Sequence, residues 1–308
     1  MRIIIAGGTG LIGSALTELL SGNGHEVVVL SRNPQKSTSL PKNVKVVAWD
    51  GKTAQGWGHL VDGAGAIVNL AGENISGEGM FPSRWTDERK KSIMESRLFA
   101  GKAVAEAVRS ASNKPAVLVQ ASAIGFYPAH DERRYTEDDA PGDDFQAEVL
   151  KQYEESTQAV EGMGVRRVII RSGVVLSTKG GAFIPQVLPF KMMVGGPLGN
   201  GKQGYSWIHI DDEIAAIQFL MENNAAAGPF NLTSPYPISN GEFGKVIGKV
   251  MHRPSFFPVP AFALKLVFGE VSGILLQGRY VLPKRLQELG FKFRYPDAES
   301  AVANLLNK

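Results

Sequence analysis

The chain has 308 residues, with 33 Lys and Arg against 30 Asp and Glu, 44% hydrophobic residues and no Cys. This composition excludes disordered, collagen-like and disulfide-rich proteins, and the absence of Cys excludes thiolate nucleophiles, iron–sulfur clusters and cysteine zinc sites. A formal net charge of +3 at pH 7 is too small to indicate a nucleic-acid or anionic-membrane surface, so we expect small-molecule partners.

The N-terminus and the most apolar segment both argue against export or membrane insertion. Arg2 is followed by four apolar residues before Gly7 and Gly8, which is too short for the apolar region of a signal peptide. The longest apolar segment, residues 260–276, contains Lys265 and is shorter than the ~20 residues of a membrane span. We therefore predict a cytoplasmic protein without a membrane segment.

Over the first half of the chain, short runs rich in β-branched residues alternate with longer stretches of helical periodicity. The first run, residues 2–6, is followed by glycines and then by apolar residues on one helical face up to Gly22. Further strands are predicted at residues 26–30, 44–48, 66–70, 116–121 and 167–171, and helices at residues 86–111 and 145–163. This alternation predicts an α/β fold built from βαβ units, with about six parallel strands.

The regular alternation ends after Ser172. Frequent glycines break the next part of the chain into loops and short elements, and two further helices are predicted at residues 211–223 and 239–251. We predict a first domain over residues 1–172, to which residues 205–235 return. A smaller α/β domain on the substrate side is predicted over residues 173–308.

A glycine motif lies between the first strand and the first helix. Gly7, Gly10 and Gly13 have the spacing G-x-x-G-x-x-G. Glycines permit the tight turn there, and they let backbone N–H groups and the helix N-terminus approach a pyrophosphate. The strand before and the helix after the motif favour a Rossmann-type doubly wound sheet that binds a dinucleotide. The residues predicted to contact it in this turn are Gly7, Thr9, Gly10, Leu11, Ile12 and Gly13.

The end of the second strand distinguishes NAD from NADP. A carboxylate there accepts hydrogen bonds from the 2′-hydroxyl of the ribose, whereas a cation accommodates a 2′-phosphate. The sequence has Ser31 and Arg32 at this point and no acid. A guanidinium can bind phosphate through two hydrogen bonds, so we predict NADP, with a solvated turn cation as the alternative.

Two further strand ends supply candidate cofactor contacts. Asp50, before Gly51, either accepts a hydrogen bond from the adenine edge or forms an ordinary Asp-Gly turn. Leu70, Ala71 and Gly72 follow the fourth strand, and their small side chains would let the backbone approach the cofactor's ribose.

The sequence resembles an extended short-chain dehydrogenase/reductase of the epimerase/dehydratase superfamily. Four features occur in the order typical of that superfamily: the glycine motif, residues 69–72, Ser122 and the segment 207–212. The sequence more narrowly resembles one subgroup, the "epimerase family" of atypical short-chain reductases, which carries a small C-terminal domain of unknown function. This closer resemblance lies in residues 71–75, 84–86, 96–97, 195–199 and 282–297. The resemblance also implies that Arg97 faces the cofactor, with a solvent-exposed helix Arg as the alternative.

The resemblance implies a Ser that orients the substrate and a Tyr-x-x-x-Lys pair that transfers the proton. Ser122 is suitably placed for the first role, but Phe145 stands where the Tyr is expected. Tyr127 is the candidate substitute for the missing phenol, with simple packing in its loop as the alternative. Glu148 and Lys151 could reach the site only if their helix is rotated; otherwise they are solvated.

The substrate side is expected to use the loops after the fifth and sixth strands and the C-terminal region. Candidates from the resemblance and from their location are Trp85, Phe183, Lys191, Trp207, His209 and Arg279. We predict no metal, because the His residues are scattered, and we expect Asp211 and Asp212 to cap the next helix. The chain is predicted to be a monomer or a homodimer that pairs through residues 86–111 and 145–163.

The sequence is compatible with two functions. The first is an NADP-dependent reductase or epimerase acting on a small molecule, for example one similar to a nucleotide sugar. In that case Ser122 polarises a carbonyl, and Tyr127 or an ordered water moves the proton. The second is a regulatory or structural protein that binds NADP without catalysis, which Phe145 favours.

Overall fold

The computed structural model describes residues 1–36, 40–77, 79, 81–129 and 132–307. In this part of the chain the strands, β1 to β13 in chain order, are Arg2–Ala6, Glu26–Ser31, Lys45–Ala48, Ala66–Asn69, Val117–Ala123, Arg134–Tyr135, Arg166–Ser172, Val174–Leu176, Gly204–Tyr205, Trp207–His209, Gly228–Leu232, Ile238–Ser239 and Tyr280–Val281. The α-helices, α1 to α10, are Leu11–Gly22, Asp87–Ser110, Phe145–Glu155, Phe183–Lys191, Ile210–Glu222, Asn240–Met251, Ala261–Phe268, Gly273–Leu276, Lys284–Glu288 and Ala298–Leu306.

Seven of the described strands form one parallel sheet in the order β11-β7-β5-β4-β1-β2-β3. Helices cover both faces, so the inner strands are continuous apolar runs; Ile3, Ile4 and Ile5 have no exposed surface. The predicted α/β fold with a doubly wound parallel sheet is confirmed. The seventh strand, β11, was not predicted, because its first residues, Gly228 and Pro229, have a sequence typical of a turn.

The two faces of the sheet bury separate apolar clusters. On one face Leu16 and Leu20 of α1 pack with Ile217 and Leu220 of α5 against the sheet. On the other face α2 contributes a run of small and β-branched residues that includes Val104. Each fully buried Leu or Ile stabilises the fold by roughly 1.5–3 kcal/mol, so these clusters hold the strand ends rigidly in place.

The predicted helix over residues 145–163 is divided. The α-helix α3 ends at Glu155, and a 3₁₀ segment, Gln158–Met163, follows. At the break Ser156 donates a side-chain hydrogen bond to the carbonyl oxygen of Tyr153, 2.6 Å away. Gly101 of α2 lies against Ser156 so closely that a Cβ on Gly101 would be 1.8 Å from its Oγ. The close approach of α2 therefore coincides with the end of α3.

The C-terminal part adds a further apolar cluster from α4, α6 and α10. Short strand pairs, β8 with β10, β9 with β12 and β6 with β13, join this part to the loops at the edge of the main sheet. Because β11 pairs with β7, a strand from beyond residue 172 completes that sheet. Among the described residues, no helix combines the length and apolar character needed to cross a membrane.

Candidate functional site

The glycine turn after β1 lies at the carboxyl edge of the sheet and brings three backbone segments into close contact. Gly7 has a φ of +79°, and a Cβ there would lie 2.8 Å from the carbonyl carbon of Leu70. A Cβ on Gly13 would lie 2.2 Å from the carbonyl oxygen of Gly7. Side chains at these two positions would displace the backbone, so the turn requires glycine.

The first helix begins in a way that leaves its N-terminus available to an anion. Gly10 is the N-cap of α1, and no side chain caps this end within the described chain. The first N–H groups of a helix have no partner within the helix, and the helix dipole favours negative charge there. Thr9 is exposed beside this end, and Leu11 and Ile12 are half-buried. The arrangement fits a pyrophosphate group.

Arg32 and Asp50 come together at the ends of β2 and β3. The Cδ atom of Arg32 would lie 3.5 Å from a Cβ on Gly51, so its aliphatic part covers that turn. Arg32 is exposed, and none of the ion pairs among the described residues involves it. Ser31 is buried, and its Oγ accepts a hydrogen bond from the backbone N–H of Asn33.

Asp50 has a local structural role. Its carboxylate accepts hydrogen bonds from the N–H groups of Lys52 and Thr53, at 2.7 and 2.9 Å, and from the Thr53 hydroxyl. Burial opposes ionisation, but these hydrogen bonds, led by the Thr53 N–H, hold the pKa of Asp50 below its ordinary value. The carboxylate thus builds the Asp-Gly turn, and a contact with adenine stays a prediction.

The loop after β4 is held by side chains from two helices. Arg97 of α2 donates hydrogen bonds to the carbonyl oxygens of Ile93 and Glu73, both at 3.0 Å, and burial lowers its pKa. The Tyr153 hydroxyl donates to the carbonyl oxygen of Ala71 at 2.7 Å. Arg97 therefore orders this loop, and its predicted contact with the cofactor would use its remaining N–H groups.

The predicted contacts at Leu70 and Gly72 lie in the same loop. The N–H of Leu70 donates to the carbonyl oxygen of Ala6 at 2.9 Å, which continues the pairing of β1 with β4. A Cβ on Gly72 would lie 3.1 Å from the Arg97 side chain. The loop backbone is thus tightly packed between the sheet and α2.

Ser122 was predicted to follow the fifth strand but lies within β5, and its hydroxyl is directed into the protein. Its Oγ donates a hydrogen bond to Glu154 of α3 at 2.6 Å. Arg171 of β7 binds the two carboxylate oxygens of Glu154 at 2.9 Å each and also donates to the hydroxyl of Tyr127. We call Ser122, Tyr127, Glu154, Arg171 and Asn231 the Glu154 cluster.

Tyr127 is fully buried in the Glu154 cluster. Its hydroxyl donates to the side-chain oxygen of Asn231 at 2.8 Å and accepts from Arg171 at 2.9 Å. Burial, which outweighs the nearby Arg171 charge, raises the pKa of Tyr127 to about 12. A role for this phenol in proton transfer therefore stays a prediction that requires these two hydrogen bonds to open.

The start of α3 carries no proton-transfer pair. The Phe145 ring lies edge-on to Trp85, with ring centres 5.1 Å apart. Glu148 is exposed, Lys151 is half-buried, and the two pair with each other at 3.5 Å on the solvent side of the helix. The sequence does contain one Tyr-x-x-x-Lys spacing, which our sequence analysis missed, at Tyr280 and Lys284.

The Tyr280 and Lys284 pair is not on α3. Tyr280 lies in β13 and Lys284 begins α9. The Lys284 ammonium group donates to Asp138 at 2.7 Å. The spacing alone therefore does not reproduce the expected arrangement on the helix after β5.

Most of the predicted substrate-side residues are buried. Phe183 and Trp207 are 1% and 0% exposed, and the Arg279 side chain donates to the carbonyl oxygen of Tyr127 and to Asp144. Trp85 is half-buried and donates to the carbonyl oxygen of Ile75, whereas Lys191 is exposed. Phe183, Trp207 and Arg279 thus contribute to packing and to contacts between segments.

The prediction that Asp211 and Asp212 cap the next helix is wrong. The N-cap of α5 is His209, whose Nδ1 accepts the N–H of Asp211 at 3.0 Å. The Asp212 carboxylate instead accepts the N–H groups of Arg294 and Tyr295, which fixes the C-terminal segment to α5. The described residues contain no group of three or more His, Cys, Asp or Glu that could hold a metal ion.

Glu213 is a buried acid that the sequence analysis did not identify. It is fully buried on α5, accepts a hydrogen bond from the Ser172 hydroxyl at 2.6 Å, and has no described partner for its Oε2. Burial raises its pKa from 4.5 to about 8. The signal was present, because Glu213 falls on the same helical face as the buried Ala216, Ile217 and Leu220.

Replacing Glu213 by Gln is expected to make stability less sensitive to pH. The unfolded chain releases this proton near its ordinary pKa of 4.5, whereas the folded protein retains it up to about pH 8. Between these values the wild type should lose about 1.4 kcal/mol per pH unit relative to Glu213→Gln. Denaturant unfolding of both proteins at several pH values measures this difference, and a difference that does not change with pH would contradict the assignment.

Comparison with known proteins identifies the family. The model of the NAD dependent epimerase/dehydratase family matches residues 3–233, and a domain of unknown function, DUF1731, matches residues 259–305. The chain belongs to the NAD-dependent epimerase/dehydratase family. The resemblance stated from the sequence is thereby confirmed, including the C-terminal domain of unknown function.

Several relatives cover the whole chain. Epimerase family protein YfhF of Bacillus subtilis is 39% identical over 99% of this chain and 98% of that protein. Epimerase family protein SAR0825 of Staphylococcus aureus is 38% identical over 100% of this chain and 99% of that protein. Their names state the family and give no substrate.

Two solved structures have the same fold and more than 30% identity. The human epimerase family protein SDR39U1, isoform 2, solved with NADPH, superposes with a TM-score of 0.90, 34% identity and full coverage of both chains. A nucleoside-diphosphate sugar epimerase from Corynebacterium glutamicum gives a TM-score of 0.77 and 31% identity over 99% of this chain and 58% of that one.

Proposed function

We propose that this protein is an NADP-dependent oxidoreductase or epimerase that acts on a small molecule. The observation that carries the proposal is the uncapped N-terminus of α1 behind the Gly7 to Gly13 turn, next to the exposed Arg32, which forms no ion pair with the described residues. The presence of NADPH in the solved human relative supports the same cofactor here. NADP, when bound, supplies or accepts the hydride.

The residues at the carboxyl edge have separate roles in this proposal. The N–H groups at the start of α1 hold the pyrophosphate, and Arg32 holds the 2′-phosphate. The backbone of Ala71 and Gly72, kept in place by Tyr153 and Arg97, supports the ribose. This division assigns the charged groups of the cofactor to fixed donors and leaves its reactive end near β4 and β5.

Ser122 orients the substrate in this proposal. Ser122 is 8% exposed and donates its hydrogen to the buried Glu154, so in this proposal its oxygen accepts from a substrate hydroxyl that reaches the small exposed part of the residue. In this arrangement Ser122 accepts a hydrogen bond from the substrate. To polarise a substrate carbonyl, Ser122 would instead have to donate one. An ordered water moves the proton, since the hydroxyl of Tyr127 is engaged by Asn231 and Arg171.

Replacing Arg32 by Ala is expected to weaken NADPH binding roughly ten- to a hundredfold, because a charge-assisted pair contributes ~1.5–3 kcal/mol. NADH, which has no 2′-phosphate, should bind with unchanged affinity. Calorimetric titration of both cofactors measures the two effects. Arg109→Ala, at an exposed position on α2, removes the same charge elsewhere and should change neither affinity. An equal loss for both cofactors with Arg32→Ala would overturn the assignment.

A second candidate function is NADP binding without catalysis. Phe145 at the expected position of the Tyr and the buried hydroxyl of Tyr127 favour it. A screen of carbonyl and hydroxyl compounds for net cofactor oxidation or reduction and for epimerised product separates the two functions, with Ser122→Ala as the control. Either activity, when Ser122→Ala abolishes it and retains NADPH affinity, supports the enzyme. Tight NADPH binding with neither net cofactor turnover nor epimerisation of any compound supports the second candidate.

The cytoplasmic location and the monomer or homodimer state stay predictions from the sequence. Helices α2 and α3, which the resemblance assigns to a dimer interface, pack on each other in the described chain. Sedimentation equilibrium of the purified protein measures the oligomeric state directly.

A further inference from the structure

The exposed large hydrophobic side chains are concentrated in two segments, residues 191–202 and residues 252–269. Of the twelve such side chains among the described residues, these segments contain eight: Met192, Met193, Val194, Phe256, Phe257, Phe262, Leu266 and Val267. Single exposed hydrophobic residues are ordinary on a protein surface, whereas a large cluster of them marks a surface that binds a partner. We call the two segments together the apolar face.

Backbone hydrogen bonds hold the two segments of the apolar face side by side. The N–H of Phe257 donates to the carbonyl oxygen of Gly195 at 3.1 Å. The N–H of Val259 donates to the carbonyl oxygen of Pro197 at 2.9 Å. The exposed side chains of the two segments therefore lie on neighbouring parts of one surface.

Helix α7 presents its part of the apolar face in a fixed position. Phe262 and Leu266 are 73% and 72% exposed and, being four residues apart, project from the same side of the helix. Leu264, on the opposite side, is 7% exposed. The Arg84 side chain donates to the carbonyl oxygens of Leu266 and Val267, which lie in the last turn and have no partner within the helix. The exposed apolar side of α7 is thus held outward by its contacts.

The apolar face carries positive charge. Its exposed Lys and Arg residues take part in no ion pair within the described chain, and they are Lys191, Lys202, Arg253 and Lys265. Neither segment contains Asp or Glu. The next carboxylate in the sequence, that of Glu270, is paired with Lys90 at 2.5 Å. The net charge of +3 is an average over the whole chain and does not reveal this local concentration.

This charge distribution favours an anionic partner. A second copy of the chain, paired through the same face by a two-fold axis, would place these cations opposite one another, and like charges across an interface oppose association. Phe256 and Phe262 project outward, so a protein partner would need cavities that match them, whereas a bilayer accepts projecting rings without a preformed cavity. Apolar side chains next to Lys and Arg are typical of proteins that lie on anionic membranes.

We propose that the apolar face docks on a membrane of anionic phospholipids. Phe256, Phe262 and Leu266 enter the boundary between headgroups and acyl chains, and the cations of the face contact lipid phosphates. The protein lies on the membrane and does not span it. This inference goes beyond the proposed function, because docking requires no dinucleotide.

Cosedimentation of the full-length protein with lipid vesicles tests the proposal. Vesicles of phosphatidylcholine that contain about 30% phosphatidylglycerol are compared with vesicles of phosphatidylcholine alone. We expect binding to the anionic vesicles at ~0.1 M salt that is at least about tenfold tighter than binding to the neutral ones. The preference should decrease at ~0.5 M salt, because salt screens the attraction between the cations and the lipid phosphates.

Matched variants locate the binding surface. Phe262→Ser should weaken binding to the anionic vesicles at least about tenfold, because it removes an inserted ring. Tyr236→Ser removes an exposed ring outside the apolar face and should have no effect. Lys265→Gln should weaken binding roughly fivefold, whereas Lys292→Gln, at an exposed position outside the face, should not. All four positions are exposed, so thermal unfolding should be unchanged.

Fluorescence of a Phe262→Trp variant tests insertion separately from electrostatic attraction. Lipids brominated on their acyl chains quench a Trp that reaches the acyl region. We expect this variant to be quenched more strongly by anionic vesicles of such lipids than the wild type, which has four Trp residues, none of them within the apolar face.

Several results would overturn the proposal. Absence of binding to either vesicle, or equal binding to both, would show that the face does not recognise an anionic membrane. Equal effects of Phe262→Ser and Tyr236→Ser would place the binding surface elsewhere. A wild-type dimer that ignores vesicles and that Phe262→Ser converts to a monomer would assign the face to a second copy. NADPH titration of the same samples reports on the proposed function, so the two can fail independently.

Discussion

Gly13→Ala is expected to abolish NADPH binding and to destabilise the protein. The added Cβ would lie 2.2 Å from the carbonyl oxygen of Gly7 and 2.7 Å from the Cα of Gly8. Both neighbours are backbone atoms, so no change of rotamer can relieve the overlap. The turn must shift away from α1, at a cost of about 1–3 kcal/mol, and the N–H groups proposed to hold the pyrophosphate shift with it. We expect NADPH affinity to fall by more than about a hundredfold.

Gly22→Ala is the matched control for Gly13→Ala. Gly22 ends the same helix, and no atom would lie within 4 Å of a Cβ added there. This variant should bind NADPH as the wild type does and should be equally stable or slightly more so. Thermal unfolding and NADPH titration of both variants make the comparison. Equal NADPH affinities for the two variants would contradict the role given to the glycine turn.

Glu154→Gln is expected to cost about 3–5 kcal/mol of folding free energy, because it leaves the charge of Arg171 buried without a counter-charge. Arg171 is 5% exposed and binds the two carboxylate oxygens of Glu154 at 2.9 Å. The pair joins α3 to β7, the strand next to the edge strand β11, so its loss should loosen the helix that lies beside the site. Unfolding by urea, followed by circular dichroism, measures the free energy of unfolding.

Two controls separate the charge effect from other causes. Glu148→Gln removes an exposed carboxylate from the same helix and should cost about 0.5 kcal/mol or less. Ser122→Ala removes one hydrogen bond to Glu154 and should cost less than Glu154→Gln, about 1.5–3 kcal/mol. If Glu154→Gln costs no more than Glu148→Gln, the Glu154 cluster does not stabilise the fold.

The features predicted correctly from sequence are those set by local patterns. Strands such as β1 are continuous β-branched runs, and the glycine turn follows directly from the spacing of Gly7, Gly10 and Gly13. Arg32 was placed at the end of the second strand because it follows the strand predicted at residues 26–30. Each of these signals lies within about one βαβ unit of sequence, where the steric rules act.

The partners of the predicted catalytic residues could not be predicted, because they are distant in sequence. Ser122 meets Glu154 from a helix 32 residues later, and the hydroxyl of Tyr127 meets Asn231 from a strand 104 residues later. Tertiary packing decides whether a hydroxyl faces a cleft or a buried carboxylate. A single sequence contains no local signal for that choice.

Calorimetric titration of the wild-type protein with NADPH, and separately with NADH, tests the central claim most directly. The glycine turn and Arg32 together predict micromolar binding of NADPH and binding of NADH that is at least about tenfold weaker. Equal affinity for the two cofactors, or binding of neither, would contradict the proposal that the carboxyl edge of this sheet is an NADP site.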